Sequence, residues 1–410
     1  MHVTHTPSLI FLMCISLALG LASFMAFPAL LPFFIDEWHL TNAQAGWIAG
    51  ISYGSYMIAV LVLSSLTDTI DARLVFLVSV IVAVVSVVGF AWGATGVVSA
   101  SFWRLIQGVA VAGIYMPGLR ILTDRVGANS RSRAVAFYTA HFVVGAASST
   151  FAAGLLMDVF DWQISFTLLG LGPILAGLIV LVATKPQAQK KRLTQNPTAL
   201  FQFGVILRHR AAMGYSLVYG RHGWEMFAFR SWLTVLLGVI LARGGMVWED
   251  ITGFATLVLI FGLPGSVLGN ELAEIIGRRK TAFIAVVMPA VMGIILSINL
   301  SSDMSVTPGP WIVVIFLAYG FFTMSKSAVV TAGLVEVAPP EQLGSAMALH
   351  SLMGFGGAFI GPVVFGAVLD FSGGINLLAA WHWALGSLVL VLSLAPFILW
   401  WSRDEKEGVS

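Results

Sequence analysis

The chain is poor in the two things that most folded soluble proteins depend on or exploit. It has one cysteine, Cys14, and only 10% of its 410 residues are charged. A single thiol in an apolar run excludes a disulfide framework and any cysteine-built metal centre. Soluble domains carry about 25% charged residues, so this surface cannot be designed for water. The usual catalytic words are missing too. There is no H-E-x-x-H, no phosphate-binding Gly-x4-Gly-Lys and no G-x-S-x-G elbow in a soluble setting. ATP hydrolysis within the chain is thereby excluded, and no enzyme, resident metal or cofactor is expected. A net charge of +2 gives no basis for nucleic-acid binding.

What is present is hydrocarbon: 58% of residues are hydrophobic, which makes the expected class an all-α integral membrane protein. Twelve apolar runs can be counted, near 9–35, 45–66, 74–92, 97–120, 134–157, 164–184, 211–240, 251–271, 281–301, 311–334, 345–369 and 377–401. The first lacks a basic n-region and a small-residue cleavage site, so it reads as a spanning helix and not a signal peptide. A polar stretch over 185–210 divides the runs six and six. The expected organisation is a six-helix bundle over 1–184, a cytoplasmic linker over 185–210 and a second bundle over 211–410.

Sixteen of the 21 lysines and arginines fall in loops on one side, and only Arg243 on the other. The positive-inside rule then puts both termini in the cytoplasm. The remaining four, Arg104, Arg221, Arg230 and Lys326, lie inside predicted spans. Each costs roughly 2.5 to 3.5 kcal/mol near the centre of a bilayer, so each needs a partner or a ligand. Two crowd into Arg221–Arg230, RHGWEMFAFR, together with His222 and Glu225. At about 100° per residue, Arg221, His222 and Glu225 share one arc of the helix while Arg230 falls opposite Arg221.

The halves repeat. SSLTDTIDAR, Ser64 to Arg73, and NELAEIIGRR, Asn270 to Arg279, stand 206 residues apart at the same place in each half. Each sets a carboxylate, Asp68 or Glu274, five residues before an arginine, Arg73 or Arg279. FAAGLLMD at Asp158 and FGAVLD at Asp370 end corresponding helices. Duplication of a six-helix unit, with a site at the interface of the repeats, explains both pairs.

On these words the chain resembles the major facilitator superfamily over nearly its whole length. The loop signature G-x-x-x-D-R-x-G-R-R is met well by the second copy, with Glu274, Gly277, Arg278 and Arg279 in register. The first copy keeps Asp68 and Arg73 but has Ser64, Asp71 and Ala72 in place of Gly, Gly and Arg. The resemblance implies that these residues form a cytoplasmic conformational gate. FWRLIQGVAVAG looks like the family's R-x-x-Q-G pattern, which implies that Arg104 faces a central cavity with Gln107 one turn away and Gly108 at a close helix contact. The Gly-Pro pair typical of drug antiporters is missing, since Gly145 is followed by Ala146, Ala147, Ser148 and Ser149.

The function expected is secondary active transport of a small solute by alternating access. Four intramembrane cations against one acid favour a small organic anion. Arg104, Gln107, Arg221, Trp224, Lys326, Tyr138, His350 and Arg230 are the candidate substrate residues, and Glu225, His222 and His141 the candidate proton-coupling residues. Blander readings stand beside them. Arg221 and Glu225 have the i,i+4 spacing of a self-contained ion pair, Arg230 can snorkel, and Trp224, Tyr115, Tyr138, His141 and His350 can be packing residues. The expected partners are the solute, a coupling proton and the lipid bilayer, with the chain a monomer in a bacterial inner membrane. Proton-coupled efflux of drug-like compounds is the alternative, and a non-transporting membrane receptor the alternative of another class.

Overall fold

The computed structural model describes residues 6–187, 203–241, 248–300, 311–339 and 342–402. Of the charges counted above, Lys190, Lys191, Arg192, Arg243, Arg403 and Lys406 lie outside the described residues. Among the described residues every regular element is a helix. They are α1 (Thr6–Gly20), α2 (Ala26–Ala29), α3 (Leu31–Glu37), α4 (Asn42–Leu66), α5 (Ala72–Gly93), α6 (Val97–Arg125), α7 (Ala128–Met157), α8 (Trp162–Leu169) and α9 (Leu171–Ala183). Then follow α10 (Phe203–Arg208), α11 (Arg210–Leu241), α12 (Trp248–Ile260), α13 (Gly262–Ile276), α14 (Arg278–Asn299), α15 (Trp311–Val337), α16 (Leu343–Phe371) and α17 (Leu378–Trp401).

Among the described residues, ten of the predicted spans are long and apolar enough to cross a membrane by length and composition alone. The other two are the ones the sequence makes unusual. The first is broken into α1, α2 and α3, and α11 carries Arg210, Arg221, Glu225 and Arg230. Together they make the expected twelve-helix membrane fold of two pseudo-symmetric six-helix bundles.

The break in the first span has a covalent cause. Pro28 has no N–H to give to the carbonyl of Phe24 four residues back, and the preceding turn closes through short bonds such as Phe24 N–H to Leu21 O (2.9 Å). Pro173 ends α8 at Leu169, and Pro264 ends α12 at Ile260, by the same four-residue rule.

The helices sort into two compact units. The first holds Met1–Leu40, Ile51–Leu193 and Gly245–Ile260; the second holds Thr41–Gly50, Thr194–Gly244 and Phe261–Ser410. In the first, Phe27, Phe34, Trp38, Phe90, Trp162 and Phe166 form one aromatic cluster, with Phe27 stacked on Phe34 at 5.1 Å and Phe90 on Phe166 at 4.8 Å. In the second, Tyr215 and Val218 of α11 pack with Val330 and Leu334 of α15 and Leu392 and Ile398 of α17. Large apolar side chains such as Leu390 (67% exposed) and Ile81 (63%) point outward. That surface fits lipid and would be a liability in water.

Close helix approach is made by glycine where side chains would intrude. A Cβ on Gly357 or Gly361 of α16 would collide with the carbonyls of Gly220 or Trp224 of α11. The two backbones therefore meet directly, as the glycine-rich GFGG word suggests.

Candidate functional site

The first unit holds a buried polar cluster around Arg104. Because Pro28 leaves the Phe24 carbonyl without a helical donor, Arg104 donates to it at 3.1 Å. Gly108 lets α6 lie against the Ser52 carbonyl of α4, which brings the guanidinium within 2.8 Å of Ser52 Oγ. Arg104 also donates to the side-chain oxygen of Gln107, whose amide nitrogen reaches the Ser23 carbonyl (3.0 Å) and Oγ (3.1 Å). The Phe27 ring centroid lies 5.6 Å from the guanidinium carbon. The R-x-x-Q-G word thus ties α6 to α4 and to the broken turn after α1.

The second unit holds the other cluster, between α11, α15 and α16. Glu225 and Lys326, both wholly buried, form an ion pair, and Thr323 donates to the same carboxylate at 3.1 Å. Tyr319 lies beside that carboxylate. One turn back along α11, His222 is 1% exposed and neither ring nitrogen has a hydrogen-bond partner. His350 stacks on Tyr219 at 3.9 Å, its Nε2 is 3.2 Å from Thr331 Oγ1, and His222 sits 5.6 Å from the same Tyr219 ring. The acid that Lys326 needs comes from another helix and not from its own.

Several sequence candidates fall elsewhere. Arg221 is half-buried and donates to the Leu217 carbonyl at 3.2 Å; its Nε has no partner, and no ion pair joins it to Glu225. Arg230 donates to the Met324 sulfur at 3.1 Å and lies over Phe227. Trp224 is partly buried and its indole nitrogen has no partner. Tyr138 donates to the Tyr115 carbonyl at 3.2 Å, and His141 Nδ1 lies 2.7 Å from the Phe137 carbonyl.

At the helix ends, Asp68 pairs with Arg120, while Arg73 donates to Thr184 Oγ1 and the Leu181 carbonyl. Asp71, the departure from the loop signature, caps α5 through Arg73 N–H at 3.0 Å and takes the Gln187 N–H at 2.9 Å. In the second copy, Arg278 pairs with Glu274 at 2.9 Å and with Glu336, and Arg279 donates to the Ser402 carbonyl. Gly277 joins α13 to α14 at φ +89°, a left-handed conformation that explains the glycine.

Sequence reading did not single out Arg120, Glu336, Thr323, Tyr219, Ser23 or Ser52. Two of them carried a usable signal: Thr323 and Tyr219 each sit three residues from a candidate, Lys326 or His222, on the same helical face.

Comparison with known proteins agrees with this architecture. The family model described as Major Facilitator Superfamily matches residues 12–264 and 249–410. The probable galactarate/D-glucarate transporter GudP of Bacillus subtilis is 21% identical over 335 residues, covering 76% of this chain and 72% of its own. The glycerophosphocholine permease GIT4 of Candida albicans is 22% identical, covering 81% of this chain and 66% of its own. Among solved structures, a bacterial homologue of the human lysosomal transporter Spinster superposes with a TM-score of 0.78 at 14% identity, covering 97% of this chain and 96% of that one. The nucleoside transporter NupG gives 0.78 at 14% identity, covering 97% and 100%. Twelve apolar helical segments, an internal repeat and two buried polar clusters therefore have a common explanation: the chain belongs to the major facilitator superfamily, as a multi-pass membrane transporter of a small solute and not an enzyme.

Proposed function

We propose that the chain is a secondary active transporter of a small organic anion, coupled to protons and working by alternating access. The observation that carries this reading is the buried pair of Glu225 and Lys326. A carboxylate and an ammonium withdrawn from water must stay mutually neutralised, because either alone is expensive to bury. A proton on Glu225 releases Lys326, and an anionic solute then replaces the lost carboxylate. Each exchange leaves the cluster neutral. Proton and anion bind together because neither is tolerated alone.

The surplus of intramembrane cations supports an anionic cargo, as does the relative named for galactarate and D-glucarate. Arg221, with its unpartnered Nε, is proposed as a further anion ligand of this cluster, with His222 beside Glu225 on the proton's route, and Arg104 with Gln107 as a separate polar binding element of the first unit. Trp224, His350 and Arg230 complete the proposed binding surface of the second unit. Tyr138 and His141 donate to or face backbone carbonyls, and the proposal gives them no transport role. Asp68 with Arg120, and Glu274, Gly277, Arg278 and Arg279, with Arg73, are the proposed gate. The charge asymmetry of the loops supports cytoplasmic termini, and likeness to a bacterial transporter supports a bacterial inner membrane.

A thermal-shift screen of purified protein tests the cargo class, since a ligand that binds only the folded state raises its stability. Small carboxylates are expected to raise Tm, and neutral analogues of the same carbon skeleton are not. Stabilisation by amphipathic drugs with no response to carboxylates would replace this reading with the efflux alternative.

A further inference from the structure

The end of α16 holds the beginning of α4 by a carboxylate. Asp370 accepts from the Asn42 N–H at 2.9 Å and its side-chain amide at 2.7 Å through one oxygen, and from the Ala43 N–H at 2.8 Å through the other. All these residues belong to the second unit. A negative charge at a helix N-terminus also meets the positive end of the helix dipole.

Three features make this a reversible hold and not a permanent weld. First, α4 is capped without Asp370. Thr41 N–H meets Gln44 Oε1 at 3.0 Å and Gln44 N–H meets Thr41 Oγ1 at 3.2 Å, a complete capping box that survives if the carboxylate leaves. Second, the packing beneath is backbone against backbone. A Cβ on Gly46, Gly50 or Gly366 would collide with the carbonyl of Pro362, Phe359 or Asn42, so few side chains must repack on separation. Third, Asp370 is exposed, so water can replace the N–H donors when they withdraw. The other repeat shares the helix packing: α7 ends at Asp158 and lies on α12, with Thr256 Oγ1 donating to the Ala147 carbonyl at 3.2 Å and Gly154 closing on Thr252.

We propose that Asp370 is a latch whose carboxylate keeps the first two turns of α4 seated on α16 and whose loss lets them lift away.

Thiol accessibility in nanodiscs tests it with no transported solute. In a Cys14→Ala background, Ala45→Cys replaces a residue of the first turn of α4 that is 0% exposed, and its reaction with a hydrophilic maleimide reports lifting. Asp370→Asn is expected to accelerate labelling about tenfold, the ratio that about 1.4 kcal/mol produces. Asn42→Asp, which sets a second carboxylate against Asp370, is expected to do the same. Combining Asn42→Asp with Asp370→Asn restores an amide-to-carboxylate pair and is expected to slow labelling again. Ala285→Cys, at a site 2% exposed in α14 of the same unit, controls for global loosening. Unchanged rates in both single variants, equal acceleration at Ala285→Cys, or no slowing in the combined variant would overturn the latch.

Discussion

Lys326 of α15 and Glu225 of α11 neutralise each other in the interior of the second unit, 101 positions apart in the chain. Removing one member strands the other in a medium that cannot solvate it. Glu225→Gln and Lys326→Met are each expected to cost about 3–5 kcal/mol, whereas the two replacements together recover most of the loss. Unfolding of the purified variants by heat and denaturant checks this. Additive losses in the double variant would show that the two side chains are not coupled.

Pro28 offers a test with an unusual sign. Replacing an internal proline by alanine ordinarily favours a helix by about 3 kcal/mol. In this chain the new N–H would take the Phe24 carbonyl from Arg104, leaving the guanidinium short of an acceptor in a buried site. Pro28→Ala is therefore expected to lower Tm, and a higher Tm would refute the link between the broken helix and Arg104.

The glycine seam between α11 and α16 predicts position-specific costs. Gly357→Ala and Gly361→Ala force a methyl onto a backbone carbonyl and are expected to destabilise by about 1–3 kcal/mol. Gly386→Ala, in α17 with nothing within 4 Å of the added carbon, is expected to be neutral or to stabilise by up to about 1 kcal/mol. Comparing the three Tm values is enough.

At the proposed gate, Asp68 and Arg120 are partners, and Arg73 is not. Asp68→Asn and Arg120→Gln are expected to change transport rate by the same factor, and their combination by no more than either alone. The pair is partly exposed, so Tm should move little, since exposed ion pairs contribute about 0–1 kcal/mol. A combined effect equal to the product of the single effects would dissociate the two residues.

Helix count, the duplicated unit and the charged word in α11 were legible in the sequence because they depend on local hydropathy and spacing. The partners of the charges were not. Arg221 stands four residues before Glu225, the spacing of a helical ion pair, yet Glu225 turns to Lys326 and Arg221 to a carbonyl of its own helix. Spacing ranks neighbours along one helix and is blind to the helix packed across from it. The first span illustrates the same limit. Its apolar run is continuous, and only the donor that Pro28 withholds from the Phe24 carbonyl, together with the bond Arg104 gives to that carbonyl, gives the break its place in the structure.

The central claim is that a proton and an anion share the Glu225 and Lys326 pair. Isothermal titration of the stabilising carboxylate in buffers of different ionisation enthalpy measures how many protons the protein takes up per anion bound. The account predicts uptake approaching one proton per anion in the unmodified protein and none in Glu225→Gln. Anion binding without proton uptake, or uptake that persists in Glu225→Gln, would contradict it.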